Sequence, residues 1–248
     1  MKNLIRGILN VVLIALLFSC TVSNNLYVNN PAPTGKGNIQ VYAGGGTGQK
    51  PEIDSISDNG DIYSSGKIST VPILAGGGQY GINNQLDLRF AIHLPYVVGG
   101  FGLRLGAQYS LFNAGRKFNA AIGSDLGFVI AKDSLRIFGS AEPMNPEVKG
   151  AINADFFIPL SVRVTPHFNI ILTPRYSFNN FWIRKNEDME YSRSFSPSFP
   201  VLSLGLKIYN FYIEGTGIYY ENTLYPNIGL VYQFNFSKNE LNTVPFPE

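Results

Sequence analysis

Cysteine is almost missing from this chain: its 248 residues hold one, Cys20, so no disulfide framework can form within it. Histidine occurs twice, at His93 and His167, and the pair is too far apart, with no cysteine partner, to form a metal site of recognisable spacing. Charged residues make up 15%, against roughly 25% in an average soluble domain. Nineteen Lys and Arg against seventeen Asp and Glu leave a net charge of +2, which is no electrostatic footprint for nucleic acid. Long helical periodicities are lacking too, which disfavours an ordinary α/β enzyme. What is present is apolar and aromatic. Hydrophobic residues reach 45%, enough to exclude disorder over most of the length, aromatics reach 13%, and glycine numbers 26.

The N-terminus opens with Lys2 and Arg6, then an apolar stretch from Gly7 to Phe18, then Ser19 and Cys20. A short positive region before a 7–15-residue apolar core is the pattern of a secretory signal, and it is too short for a spanning helix. Residues 1–19 are expected to be removed. Residues 20–36, with Asn24, Asn25, Asn29, Asn30, Pro31, Pro33 and Gly35, form a polar, turn-rich tether without apolar periodicity.

From about Gly37 the chain alternates with period 2, which is strand logic. In the last segment Ile228, Leu230, Tyr232, Phe234 and Phe236 share one face and Asn227, Gly229, Val231, Gln233 and Asn235 the other. The same alternation sets Leu86, Leu88, Phe90 and Ile92 against Asp87, Arg89, Ala91 and His93, and Leu202, Leu204, Leu206 and Ile208 against Ser203, Gly205, Lys207 and Tyr209. Ten strands are expected, near 37–47, 67–80, 86–94, 100–109, 118–131, 150–164, 168–178, 201–209, 211–220 and 226–236, with eight or twelve as alternatives. Leu135 to Phe138 is a further strand or part of a loop hairpin. Connections alternate in length: short near 81–85, 110–117, 165–167 and 209–210, and long near 48–66, 132–149 and 179–199. The expected architecture is all-β, an antiparallel up-and-down barrel over residues 37–236, with a polar tail over 237–248.

Which face meets lipid is read from the polar face. That face carries Gly, Ser, Asn and Gln rather than the charge a watery surface needs. Its charged members are Asp87, Arg89, Arg104, Asp125, Asp155, Arg163, Arg175, Lys207 and Glu214, five cations and four anions. Such a set can neutralise itself inside a narrow lumen, with Asp155 diagonal to Arg175 and Lys207 diagonal to Glu214 if the two short turns set register. The opposite face carries no charge, as lipid requires.

Two resemblances follow. Leu17-Phe18-Ser19-Cys20 resembles the lipobox of bacterial lipoproteins, which implies cleavage before Cys20, acylation of its thiol and amine, and, with Thr21 rather than Asp next, an outer-membrane destination. The barrel region looks like a small outer-membrane β-barrel protein. Its last strand, ending Tyr232-Gln233-Phe234-Asn235-Phe236, is similar to the aromatic C-terminal signal that the barrel-assembly machinery recognises, although Ser237 to Glu248 follow it. Together they imply a Gram-negative envelope protein, its lipid anchor in the periplasmic leaflet and its long loops outside.

Other features admit plainer readings. His93 would serve as the base of a lipid-modifying membrane enzyme, or as an ordinary histidine at the barrel rim. No serine shares its strand, and Ser124 falls on the lipid face. His167 is an exposed turn residue. Gly44-Gly45-Gly46 and Gly76-Gly77-Gly78 lack the Lys-Ser/Thr and the helix of a phosphate loop, and let the wall bend or pack closely. Phe181 and Trp182 fit an interfacial aromatic belt, and the charges from Arg184 to Arg193 a solvated loop. Asp54-Ser55-Ile56 and Asp133-Ser134-Leu135 are similar to a bacterial O-glycosylation acceptor, a match chance explains.

The function expected is a non-enzymatic, lipid-anchored outer-membrane barrel, a scaffold or accessory subunit of an envelope complex with a closed lumen. Its partners would be outer-membrane lipid, the assembly machinery and other outer-membrane proteins, with no cofactor. The alternatives are a narrow channel or small-solute transporter, a lipid-modifying enzyme using His93, and a soluble barrel that binds lipid inside.

Overall fold

The structure, a computed structural model, describes residues 28–56, 62–95, 100–112, 117–131, 147–184 and 192–237. Twelve strand segments run through the described residues: β1 (Ile39–Ile56), β2 (Ile62–Gly81), β3 (Leu86–Pro95), β4 (Gly100–Ser110), β5 (Phe118–Ala131), β6 (Glu147–Phe157), β7 (Leu160–Thr165), β8 (Phe168–Arg184), β9 (Ser192–Phe195), β10 (Ser198–Ile208), β11 (Phe211–Tyr220) and β12 (Thr223–Phe236). All belong to one sheet, paired antiparallel, in which β12 returns to β1 and β10 closes onto β8. β6 and β7 make one stave of the wall, and so do β9 and β10, giving a closed barrel of 10 strands. Closure leaves the ring no free edge, the condition for a sheet in lipid.

Both interruptions fall at a proline. Ile158-Pro159 separates β6 from β7, and Ser196-Pro197 separates β9 from β10. Proline has no N–H for the ladder, so pairing stops there and the carbonyl takes over: Pro159 O accepts from Ala121 N at 3.0 Å, and Pro197 O from Asn179 N at 3.1 Å. The expected unbroken strand over 150–164 is corrected accordingly.

Two expected loops are largely strand. β1 leaves β12 after the Gly46–Gly229 pair but continues against β2 as far as Ile56 opposite Ile62. β8 runs on to Arg184, paired with β6 and β9. These extensions escaped notice because they lie beyond the layer where one face must be apolar, so alternation is not enforced; the β1–β2 ribbon also shifts register between Pro51 and Ser55. The short turns stand where expected, with Ile208 opposite Phe211 across Tyr209-Asn210.

The wall is inverted relative to a soluble barrel. Leu126 is 60% exposed and its cross-strand partner Leu105 57%, while Arg104, next to Leu105 along β4, is 1% exposed. Leu88, Phe90, Leu204, Leu230 and Phe234 are exposed, and Asp87, Gln108, Asn153, Asp155, Ser203, Glu214 and Gln233 buried. Charged and polar side chains thus take inward positions that a soluble lipid-binding barrel would fill with apolar ones. No helix among the described residues is long and apolar enough to cross a membrane.

Candidate functional site

Inward-facing side chains need room in so narrow a ring, and glycine provides it. Tyr42 on β1 faces Gly77 on β2, and a Cβ at Gly77 would meet the Tyr42 hydroxyl at 2.5 Å. Gly102 on β4 lies opposite His93 on β3, and a Cβ there would overlap the imidazole. The triplet Gly76–Gly78 thus admits a neighbour's side chain, as a structural glycine does.

Over this lining the charges form linked groups. Asp125 and Asp155 are directly opposite on β5 and β6, a like-charge juxtaposition that alone would be repulsive. Cations bracket it. Arg104 Nη2 lies 2.6 Å from Asp155 Oδ2, Arg175 Nη1 lies 3.5 Å from the same oxygen, and Ser177 Oγ donates to Asp155 Oδ1 at 2.5 Å. Arg89 Nε is 3.7 Å from Asp125 Oδ1 and Arg89 Nη1 donates to Gln108 Oε1 at 2.9 Å; its guanidinium sits 4.3 Å from the centroid of the Phe157 ring. Arg89, Arg104, Arg175, Asp125 and Asp155 are all at most 5% exposed. Buried charges at such spacing offset part of their desolvation through each other.

Glu214 on β11 faces the same lumen, within electrostatic reach of Arg175. It accepts from the hydroxyls of Tyr212 at 2.5 Å and Thr216 at 3.0 Å. Lys207 is diagonal to it in register, opposite Tyr212, and is half-buried, as is Arg163 on β7. Of the nine charged residues named from the sequence, Asp87, Arg89, Arg104, Asp125, Asp155, Arg175 and Glu214 are buried, and Arg163 and Lys207 half-buried.

At the end of the barrel that holds the short turns, the chain enters its own lumen. Val28 and Asn29 are 1% and 0% exposed, and Pro31 is buried. Arg89 Nη2 donates to Asn29 Oδ1 at 3.2 Å, while Asn29 Nδ2 donates to Glu214 Oε2 at 3.4 Å. The backbone N–H and the hydroxyl of Thr34 both donate to Asp87 Oδ2, at 2.9 and 3.0 Å. The second half of the expected tether is thus part of the barrel interior. Alternation could not reveal it, because a segment held through its carbonyls and amides has no face to alternate.

Towards the opposite end the lumen turns apolar. Val129, Ala151 and Phe181 cluster there, as do Phe199, Val201 and Ile218. Phe181 is a correction: it is 2% exposed and points inward, and only Trp182, 43% exposed, stands on the outer face. One residue of strand phase separates the two readings. His93 lies two residues before the end of β3 and is fully buried, facing the lumen. Ser124 is exposed on the outside, so the wall stands between it and His93. His167 is in its turn, stacked on Tyr209 with ring centroids 4.5 Å apart. Among the described residues no group of three or more His, Cys, Asp and Glu could hold a metal ion. Cys20, Leu135–Phe138 and Asp133-Ser134-Leu135 lie outside the described residues, and Asp54-Ser55-Ile56 ends β1.

These features define a class: an antiparallel closed β-barrel of ten strands, apolar outside and ionic within. No family model and no curated protein matches the chain. Solved structures of similar fold include the N-terminal β-barrel domain of OprF from Pseudomonas aeruginosa, at 14% identity and TM-score 0.33 over 82% of this chain and 99% of that one. OprG, an outer membrane protein of the same organism, gives 11% and 0.44 over 82% and 99%. Ail, the attachment invasion locus protein of Yersinia pestis, gives 11% and 0.33 over 80% and 99%. The fold assignment rests on strand pairing and on which face is buried.

Proposed function

We propose that this chain is an integral outer-membrane β-barrel without enzymatic activity, held additionally by an acylated Cys20, that serves as a scaffold or accessory subunit of an envelope complex. The observation that carries this reading is the lumen: five of its buried charges pair with one another, and the chain's own residues 28–36 occupy one mouth. A transport pore keeps its polar groups available to solute; here Asp125 and Asp155 are engaged by three arginines. The apolar outer wall supports residence in a bilayer, where each backbone polar group must find its partner in the sheet. Reconstituted into planar bilayers, the protein is expected to give no stable conductance. Steady, ion-selective openings would replace the scaffold with the second reading, a narrow channel. That reading has its own support, because six of the buried charges lie on the contiguous strands β3 to β8.

Anchoring is tested separately. Metabolic labelling with palmitate should mark the wild-type protein and leave Cys20→Ser unmarked; equal labelling of both rejects the anchor. The enzyme alternative is met by His93→Ala, which is expected to leave lipid A and phospholipid profiles unchanged. The partner reading predicts a stoichiometric companion in pulldowns from detergent-solubilised outer membranes, beyond the assembly machinery that handles every such barrel.

A further inference from the structure

The contacts of residues 28–36 are those of a bound peptide. Three of its backbone carbonyls are held by inward-facing side chains of β2 and β4. Gln79 Nε2 donates to the Val28 carbonyl at 3.2 Å, Gln108 Nε2 to the Asn30 carbonyl at 2.7 Å, and Ser110 Oγ to the Pro31 carbonyl at 2.8 Å. One side chain is read at both ends of its amide: Asn29 accepts from Arg89 and donates to Glu214. Gln79, Gln108, Ser110 and Glu214 are each at most 2% exposed and Arg89 3%, so the site is built from groups that have no water to fall back on. The ligand is suited to it. Pro31 and Pro33 fix φ and offer no N–H that would need a partner, so an extended segment loses little freedom on binding.

We infer that the barrel mouth at the short-turn end is a binding site for an extended Asn-Pro peptide, occupied in cis by residues 28–36 and able to take the same peptide in trans when the resident segment is absent. Recognition is by backbone carbonyls at Val28, Asn30 and Pro31 and by the single side chain of Asn29. Lys36 is exposed, so it takes no part in the contact and can carry a label. The inference rests on the same packed lumen as the closed-barrel reading but on a different readout. Conductance of the wild-type protein would remove that reading and leave peptide binding untouched.

The test uses the full chain folded in detergent micelles, with residues 28–36 replaced by a Gly-Ser stretch of equal length. The probe is a synthetic peptide of residues 28–36 with fluorescein on Lys36, followed by fluorescence anisotropy. Saturable binding to the replaced-segment barrel is expected, with none to the wild type and none of a scrambled peptide. A peptide carrying Asn29→Ala should bind about a hundredfold more weakly, since two charge-assisted hydrogen bonds are lost. A folded replaced-segment barrel that prefers the native peptide no more than the scrambled one overturns the inference, and so does equal binding by the wild type. Should the replaced segment prevent folding, the intact chain with Asn29→Ala decides. Its loosened segment should let the labelled wild-type peptide exchange in, and a folded variant that takes up none overturns the proposal.

Discussion

Asp155 shows how a residue can be costly and indispensable at once. Its carboxylate is fully buried, yet two arginines share one of its oxygens and a serine holds the other. Removing it leaves two cations side by side in a low-dielectric lumen. Asp155→Ala should therefore destabilise the barrel by about 3–5 kcal/mol. Asp125→Ala should cost less, about 1–3 kcal/mol, because Arg89 keeps Gln108, Asn29 and the Phe157 ring. Urea unfolding in lipid vesicles measures both, and an equal or reversed order would contradict the pairing described above. Glycine gives a second contrast at this scale. Gly102→Ala must displace the buried His93 ring, whereas a Cβ at Gly215 meets nothing within 4 Å on the outer face. The first substitution should destabilise, and the second should be neutral or stabilise by up to about 1 kcal/mol.

At the scale of elements, the turns set the register that brings these residues together. The β11–β12 turn holds Glu221 at φ 45° and Asn222 at φ 61°, the left-handed pair of a type I′ hairpin. Asn-Gly is the preferred sequence for that geometry and Glu221 is a poor first member. Glu221→Asn combined with Asn222→Gly is expected to stabilise the barrel by about 1 kcal/mol, read as a higher temperature for the heat-dependent shift in gel mobility. A lower temperature would mean that Glu221 makes contacts outweighing its backbone strain. Tyr209, at φ 53°, occupies a similar conformation but stacks on His167, so glycine there exchanges strain for a lost contact. Neither turn announces its type in sequence. Tyr209-Asn210 and Glu221-Asn222 lack the glycine that signals a tight hairpin, and their positions were legible only from the alternation on either side.

For the whole molecule, the outer wall is the decisive surface. Leu126 lies midway along β5 and Leu224 beside the β11–β12 turn, and they are 60% and 64% exposed. If the wall faces acyl chains, Leu126→Arg should cost about 2–4 kcal/mol in a bilayer and Leu224→Arg about 0–1 kcal/mol. A soluble particle would tolerate both alike, so equal effects would end the membrane reading. The strand number and the sidedness of the wall were legible in the sequence because the apolar outer face and the polar lumen impose opposite demands on alternate residues. That signal fails where the outward face is no longer required to be apolar, which is why the β1–β2 ribbon and the end of β8 read as loops. It also fails at Phe181, where an aromatic faces an apolar part of the lumen and the inward face no longer differs from the outward one.

By itself, then, the chain's period-2 pattern determined an antiparallel wall with its charges enclosed, since one residue of slip would turn the lumen arginines outward. Only the tertiary structure decided which charges meet across strands, and that residues 28–36 return into the mouth to join them. Those contacts join groups from 20 to 185 positions apart. They depend on closure of the ring, which brings β3 and β11 to the same segment, and no local pattern encodes that distance.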